Sequence, residues 1–146
     1  MMKIIKYSGG ISYDDRGHII HNNDFIFNNI KRFYIIENDK NNFIRAWHAH
    51  KKEIKYFFCI KGKFQISLIK IDNFKNPSKK LKSKSYILDS SISEILRVPK
   101  GYANGTMNLK QGSQLMVFSN LTLKQSLNDD YRFPFDYWNN WKIIQR

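Results

Sequence analysis

Within eleven residues, Arg45-Ala-Trp-His48-Ala-His50-Lys-Lys-Glu53-Ile-Lys55 brings together a guanidinium, two imidazoles, a carboxylate and an ammonium. Histidines at i and i+2 on a strand project to the same face. Imidazole is the side chain whose ordinary titration lies nearest neutral pH, so such a pair can ligate a metal or take and return a proton. Ala46, His48 and His50 are expected on one inner face, where a small residue beside two histidines implies a cavity rather than a filled core. About fifty residues on, Pro99-Lys-Gly101-Tyr102-Ala-Asn104-Gly105 reads as a tight turn opening a second strand. A His-x-His strand facing a Pro-x-Gly turn is one way for a small β-barrel to line its interior with polar groups.

The elements that must position these groups are short and β-rich, with no sustained amphipathic helix. Strands are expected at 3–7, 18–22, 30–36, 44–50, 55–60, 63–71, 85–88, 94–98, 106–108 and 115–119. Lys61-Gly62 reads as a hairpin turn. Phe64, Ile66 and Leu68 alternate with Lys63, Gln65 and Ser67, the period of a strand with one buried face. The end of the chain carries Tyr131, Phe133, Phe135, Tyr137, Trp138 and Trp141. Such a segment is expected to pack on the barrel or on a second subunit. The pattern implies an all-β sandwich or barrel of the jelly-roll type, with residues 1–146 forming a single domain.

Composition narrows the partners. Apolar residues make up 42% and charged residues 25%, as in ordinary globular proteins. No apolar run reaches the roughly 20 residues of a membrane span. Cys59 is the only cysteine, so no disulfide framework exists, and a reducing cytoplasm is the expected compartment. Cys59 reads as a core residue, and His18 and His21 as structural. The formal charge of +13 invites a nucleic-acid reading, but the lysines are scattered and no nucleic-acid motif accompanies them. A polyanionic small substrate drawn in by the field is the other functional reading, but the excess of lysine in a chain crowded with Asn and Ile is first a matter of composition.

In these motifs the chain resembles the cupin-fold nucleotide-sugar epimerases and isomerases. Asp15-Arg16-Gly17 is similar to the early Asp-x-Arg-Gly of the dTDP-4-dehydrorhamnose 3,5-epimerases. Arg45-Ala-Trp-His48 resembles their Arg-Gly-x-His, Lys55 falls where they carry an active-site lysine, and Pro99 to Gly105 resembles Pro-x-Gly-Phe-Ala-His-Gly with Asn104 for the histidine. Arg45 through Lys51 is also similar to the Arg-Gly-x-His-Ala-His-Lys of the dTDP-4-keto-6-deoxyglucose 3,4-ketoisomerases, and Asp130-Tyr131-Arg132 echoes their Asp-Tyr-x-Arg. The chain lacks the tyrosine acid that the epimerases carry after the strand corresponding to 115–119, where Leu121 and Leu123 stand instead.

The resemblance implies a cupin (double-stranded β-helix) barrel, working in the cytoplasm as a homodimer paired through exchanged N-terminal strands. Its substrate is a nucleotide-diphosphate sugar, with no nucleic-acid or membrane partner, no cofactor and no metal. His48 is the expected base, beside a ketone whose enolate Lys55 stabilises, with His50 and Tyr131 as further catalytic groups. Asp129 or Asp130 is a possible carboxylate behind His48. Arg16 and Arg45 are expected to hold the diphosphate, and Asn104 and Tyr102 to bind substrate. One of Tyr7, Tyr34, Trp47 or Tyr56 would stack on the base. The balance of motifs leans to epimerisation at C3 of a 4-keto-6-deoxy sugar, with 3,4-ketoisomerisation as the alternative. A metal-dependent cupin using His48, His50 and Glu53, and a binding module without chemistry, are the remaining readings. Asn104 is a poor ligand for a transition metal, and Lys55 would set a cation beside the ion.

Overall fold

The computed structural model describes residues 3–138 and 141. It holds β1 (Ile5–Ser8), β2 (Gly10–Asp14), β3 (Gly17–His21), β4 (Arg32–Glu37), β5 (Ile44–His50), β6 (Lys55–Lys61), β7 (Lys63–Lys70), β8 (Lys84–Asp89), β9 (Glu94–Val98), β10 (Tyr102–Asn108) and β11 (Gln114–Ser119). A five-residue helix, α1 (Leu123–Leu127), and a two-residue strand, β12 (Tyr131–Arg132), follow. Two antiparallel five-stranded sheets, ordered β1-β9-β6-β11-β4 and β12-β5-β10-β7-β8, face each other as a cupin jelly roll. None of the helices among the described residues is long and apolar enough to cross a membrane.

Period-2 alternation builds the core. Phe57, Cys59, Leu96, Val98, Leu115 and Val117 of the first sheet meet Phe64, Ile66, Leu68 and Leu88 of the second. Burial raises the Cys59 thiol to about 12, the behaviour of an inert core residue. Gly62 makes the β6–β7 turn at φ 75°, a conformation that glycine adopts without steric cost. The barrel is filled where β7 and β8 meet β6 and β9. It stays open where β5, β10 and β12 face β4, β6 and α1.

Each sheet also carries apolar residues outside. On the second, Trp47, Ala49, Ile69 and Ala103 are covered by Phe133, Tyr137, Trp138 and Trp141, the aromatic segment seen in the sequence. It is anchored by polar bonds: Trp47 Nε1 donates to the Phe135 carbonyl (3.1 Å), Trp138 Nε1 to that of Ser78 (2.9 Å), and the Tyr137 hydroxyl to that of Pro77 (2.6 Å). On the first sheet, Phe25 packs on Tyr7, Tyr56 and Phe118. Phe33 stays 62% exposed there and Ile35 49%.

Among the described residues β2 and β3 pair only with each other, as a hairpin arm whose Tyr13 and Ile19 are exposed. His18 and His21 lie on that arm.

A register shift between β5 and β10 sets Thr106 opposite Arg45 and Asn104 opposite His48, so one residue of β10, Gly105, faces two of β5, Ala46 and Trp47. This bulge turns Arg45 onto the face of His48 and His50, and sends Ala46 to the outer layer with Trp47. Ala46 therefore does not share the inner face, as simple alternation from His48 suggested. Gly105 lies across from the bulge, and a Cβ there would stand 2.6 Å from Trp141 Cζ2 and 2.7 Å from Ala46 Cβ. Gly105→Ala is expected to destabilise the fold by about 1–3 kcal/mol, the usual cost of overpacking. Urea unfolding measures this, and an unchanged midpoint would show that the aromatic segment does not seat there.

Candidate active site

The open side of the barrel forms a cavity of about 450 Å³. One wall carries Arg45, His48 and His50 of β5, Asn104 and Thr106 of β10, and Asp130 and Arg132 at β12. Facing them stand Arg32 and Tyr34 of β4, Lys55 and Phe57 of β6, and Ser126 of α1. Ile35, Ile36 and Glu37 of β4 line it as well, and Leu123 and Leu127, one helical turn apart and both exposed, complete the lining.

The two histidines differ in what holds them. His48 keeps 31% of its side chain exposed, and its Nδ1 lies 3.9 Å from Asp130 Oδ1. Arg132 Nε donates to the other Asp130 oxygen at 2.8 Å and orients that carboxylate. Burial, then the positive charges of Lys55 and Arg132, lower the His48 pKa to about 4 against the opposing pull of Asp130. His48 is thus a neutral imidazole at neutral pH.

His50 is buried, and its Nδ1 donates to the Asp129 carbonyl at 2.6 Å. A carbonyl only accepts, so the Nδ1 of this neutral ring carries the proton and Nε2 the lone pair. That Nε2 is buried without a hydrogen-bond partner among the described residues, in a ring that lines the cavity. Burial and the Lys55 charge lower the pKa of His50, with Glu53 and the Asp129 carbonyl pulling the other way.

Lys55 is 8% exposed and has no ion-pair partner within 4 Å among the described residues. Its ammonium faces the imidazole wall as a fixed positive group. Arg45 reaches the cavity because of the bulge, and its Nε is held by Asn38 Oδ1 at 2.7 Å. Asn38 is in turn held by Asn108, which is fully buried. Asn104 lines the cavity while its Nδ2 donates to the His48 carbonyl at 3.1 Å.

Other expected residues lie elsewhere. Tyr131 pairs with Ala49 and points with it to the outer layer, its ring against Phe74 at 5.0 Å. Arg132, paired with His48, takes the cavity position instead. Tyr102 is on the inner face opposite His50 but packs against the main core and does not line the cavity. Arg16 sits by the tip of the hairpin arm, 83% exposed and paired with Asp14 at 2.6 Å, away from the cavity. Of the four aromatic candidates for base stacking, Tyr34 alone lines the cavity.

Asp130 is the carboxylate beside His48, whereas Asp129 takes the backbone N–H groups of Lys51, Lys52 and Glu53. Sequence reasoning did not single out Arg32. Its one available signal was a position on the same strand face as Tyr34. Among the described residues no three of His, Cys, Asp and Glu are arranged to hold a metal. The Glu53 carboxylate is already bound by Arg32, Ser119 and Ser126.

Known proteins repeat this architecture. The 3,4-ketoisomerase QdtA from Thermoanaerobacterium thermosaccharolyticum, solved as a double mutant with TDP, superposes with a TM-score of 0.70 at 22% identity, over 95% of this chain and 94% of that one. A 3,4-ketoisomerase from Helicobacter canadensis gives 0.70 at 24% identity, over 94% and 96%. The dTDP-4-dehydrorhamnose 3,5-epimerase of Bacillus anthracis, solved with TDP and PPi, gives 0.77 at 17% identity, over 97% and 86%. No curated protein sequence matches significantly. The family model described as "FdtA: WxcM-like, C-terminal" matches residues 2–140, nearly the whole length, and the chain belongs to that family.

Proposed function

We propose that this chain is an isomerase of a nucleotide-linked 4-keto-6-deoxy sugar that moves the carbonyl from C4 to C3. The observation that carries the reading is two neutral imidazoles side by side on one wall, facing the Lys55 ammonium across the cavity. His48 takes the proton from C3, which is acidic beside the ketone, and the electron pair forms an enolate whose O4 charge Lys55 stabilises. The O3 hydroxyl gives its proton to His50 Nε2, which passes it to O4. His48, partly exposed and open to exchange with solvent, delivers a proton to C4, which leaves a hydroxyl at C4 and the carbonyl at C3. Base and proton return lie on one face of the sugar, so one wall suffices. Arg45, Arg32 and Arg132 supply guanidiniums for a diphosphate, and the neighbours solved with TDP support a nucleotide ligand.

Epimerisation at C3, to which the sequence leans first, is here the second reading. It needs a proton donor on the opposite face, and Tyr34 stands on the facing wall. Incubation with dTDP-4-keto-6-deoxyglucose in deuterated water separates the two by NMR. Deuterium at C4 with the carbonyl at C3 is the expected product. Deuterium at C3 with inverted configuration and an unmoved carbonyl establishes the epimerase. Absence of both a moved carbonyl and any exchange overturns both and leaves a binding module.

We further propose a homodimer in which the hairpin arm of each copy reaches the other, carrying Arg16 to the partner's cavity. Exposed Tyr13 and Ile19 on the arm, and Phe33 and Ile35 on the first sheet, give a second copy apolar surface to cover. Light scattering at micromolar concentration is expected to give twice the chain mass, and a monomer would contradict the pairing.

His48→Asn preserves polarity and removes the titrating nitrogen, so turnover is expected to fall at least about a hundredfold with the circular dichroism unchanged. More than a tenth of wild-type turnover would remove His48 as the base. The base is lost only as pH falls through the His48 pKa of about 4. The rate with wild-type protein is therefore expected to hold at pH 6, where an ordinary imidazole would be largely protonated. The unfolded ring takes up its proton near 6.5, before the folded one does. The His48 contribution to stability is thus full above 6.5 and diminishes as pH falls from there towards 4.

A further inference from the structure

Glu53 lies behind the imidazole wall with none of its side chain exposed. Its Oε1 accepts from Arg32 Nη2 at 3.2 Å and from the Ser119 hydroxyl at 2.7 Å, and its Oε2 from the Ser126 hydroxyl at 2.8 Å. Burial alone would favour the protonated acid. Lys55, His50 and the two serines outweigh it and hold the carboxyl below its ordinary range, so the group is an anion. The second oxygen stands 3.3 Å from His50 Nδ1.

A ring nitrogen with two acceptors and no donor at hand keeps its proton. The Asp129 carbonyl takes the shorter bond and Glu53 adds the negative charge. In an enclosed site that charge acts most strongly once the ring becomes an imidazolium. The groups facing His50 are Glu53 and Asp129, which favour its cation, and Lys55 and His48. Of the two carboxylates that favour the His50 cation, Glu53 is the one whose oxygen stands beside Nδ1, at 3.3 Å.

We propose that Glu53 is the positioning residue of His50, keeping the proton on Nδ1, the Nε2 lone pair on the cavity, and the imidazolium stable when Nε2 takes a proton. It does not line the cavity, and it acts on the proton chemistry through His50, apart from its bond to Arg32. The role in turnover rests on the isomerase reading, whereas the tautomer does not.

Histidine-selective ¹⁵N NMR of the full chain, with His50 assigned by its loss in His50→Asn, tests this without substrate. The wild-type ring is expected to carry its proton on Nδ1, and in Glu53→Gln the His50 titration is expected to move to lower pH. With dTDP-4-keto-6-deoxyglucose, Glu53→Gln is expected to lose about ten- to a hundredfold in kcat with KM within about threefold, and Glu53→Asp to recover part of the loss. A wild-type proton on Nε2, or an unmoved His50 titration in Glu53→Gln, overturns the proposal. So does a variant with lower Tm but unchanged kcat and pH profile, since a merely structural carboxylate would give that result. If Glu53→Gln does not fold, the wild-type tautomer and the Glu53→Asp titration decide alone. An Nδ1–H ring in a protein that neither moves the carbonyl nor exchanges solvent into the sugar would fail the isomerase and leave the positioning intact.

Discussion

The Asp129 carboxylate takes the backbone N–H groups of Lys51, Lys52 and Glu53, at 2.9, 2.9 and 2.8 Å, and the cavity depends on that clamp. These residues join β5 to β6, strands of opposite sheets, so the clamp sets how the chain crosses the barrel. It fixes His50 on one wall and Lys55 on the other. The same residue's carbonyl takes the His50 proton, and its successor Asp130 stands beside His48. Three donated bonds to a carboxylate are charge-assisted and stronger than neutral ones. A two-residue strand at Tyr131–Arg132 can therefore hold its register beside β5 despite its length.

Within that frame the electrostatics is an excess of positive charge. Lys55, Arg32, Arg45 and Arg132 line the cavity against Asp130 and Glu37, with Glu53 already engaged behind it. Burial first, with that positive field behind it, keeps both imidazoles neutral, which is the state that accepts a proton. On the proposed reading, a diphosphate bound here would offset part of the field.

Much of this was legible in the sequence because alternation writes one buried face directly. The bounds of β5 and β9 agree with the expected 44–50 and 94–98. Parity failed where the backbone departs from regular geometry. The bulge beside Gly105 exchanges the positions of Arg45 and Ala46, and one-sequence alternation carries no mark of it. Near β12, the Asp130-Tyr131-Arg132 motif was visible, but which residue faces inward depends on its pairing with Ala49 and His48, a long-range contact. β2 was missed because both faces of the arm are exposed and no burial pattern forms. The α1 helix is too short for periodicity, although its capping box, Thr122 with Gln125, is a local signal.

Arg32 and Glu53 show a different limit. Twenty-one residues separate them, and Ser126 is seventy-three beyond Glu53, so no spacing rule links the three. Their association follows from burial: a carboxylate enclosed at the back of a cavity must gather donors, and the nearest strands and helix supply them. The serine of α1 thereby ties the cavity rim to the imidazole wall through one anion. Tyr34 faces that wall from the strand that carries Arg32. The arrangement leaves a single chemical choice open. A proton returned from the histidine side moves the carbonyl along the sugar, and one delivered from the Tyr34 side inverts a carbon. On the proposed reading, the two reactions of one enolate differ by which wall donates the proton.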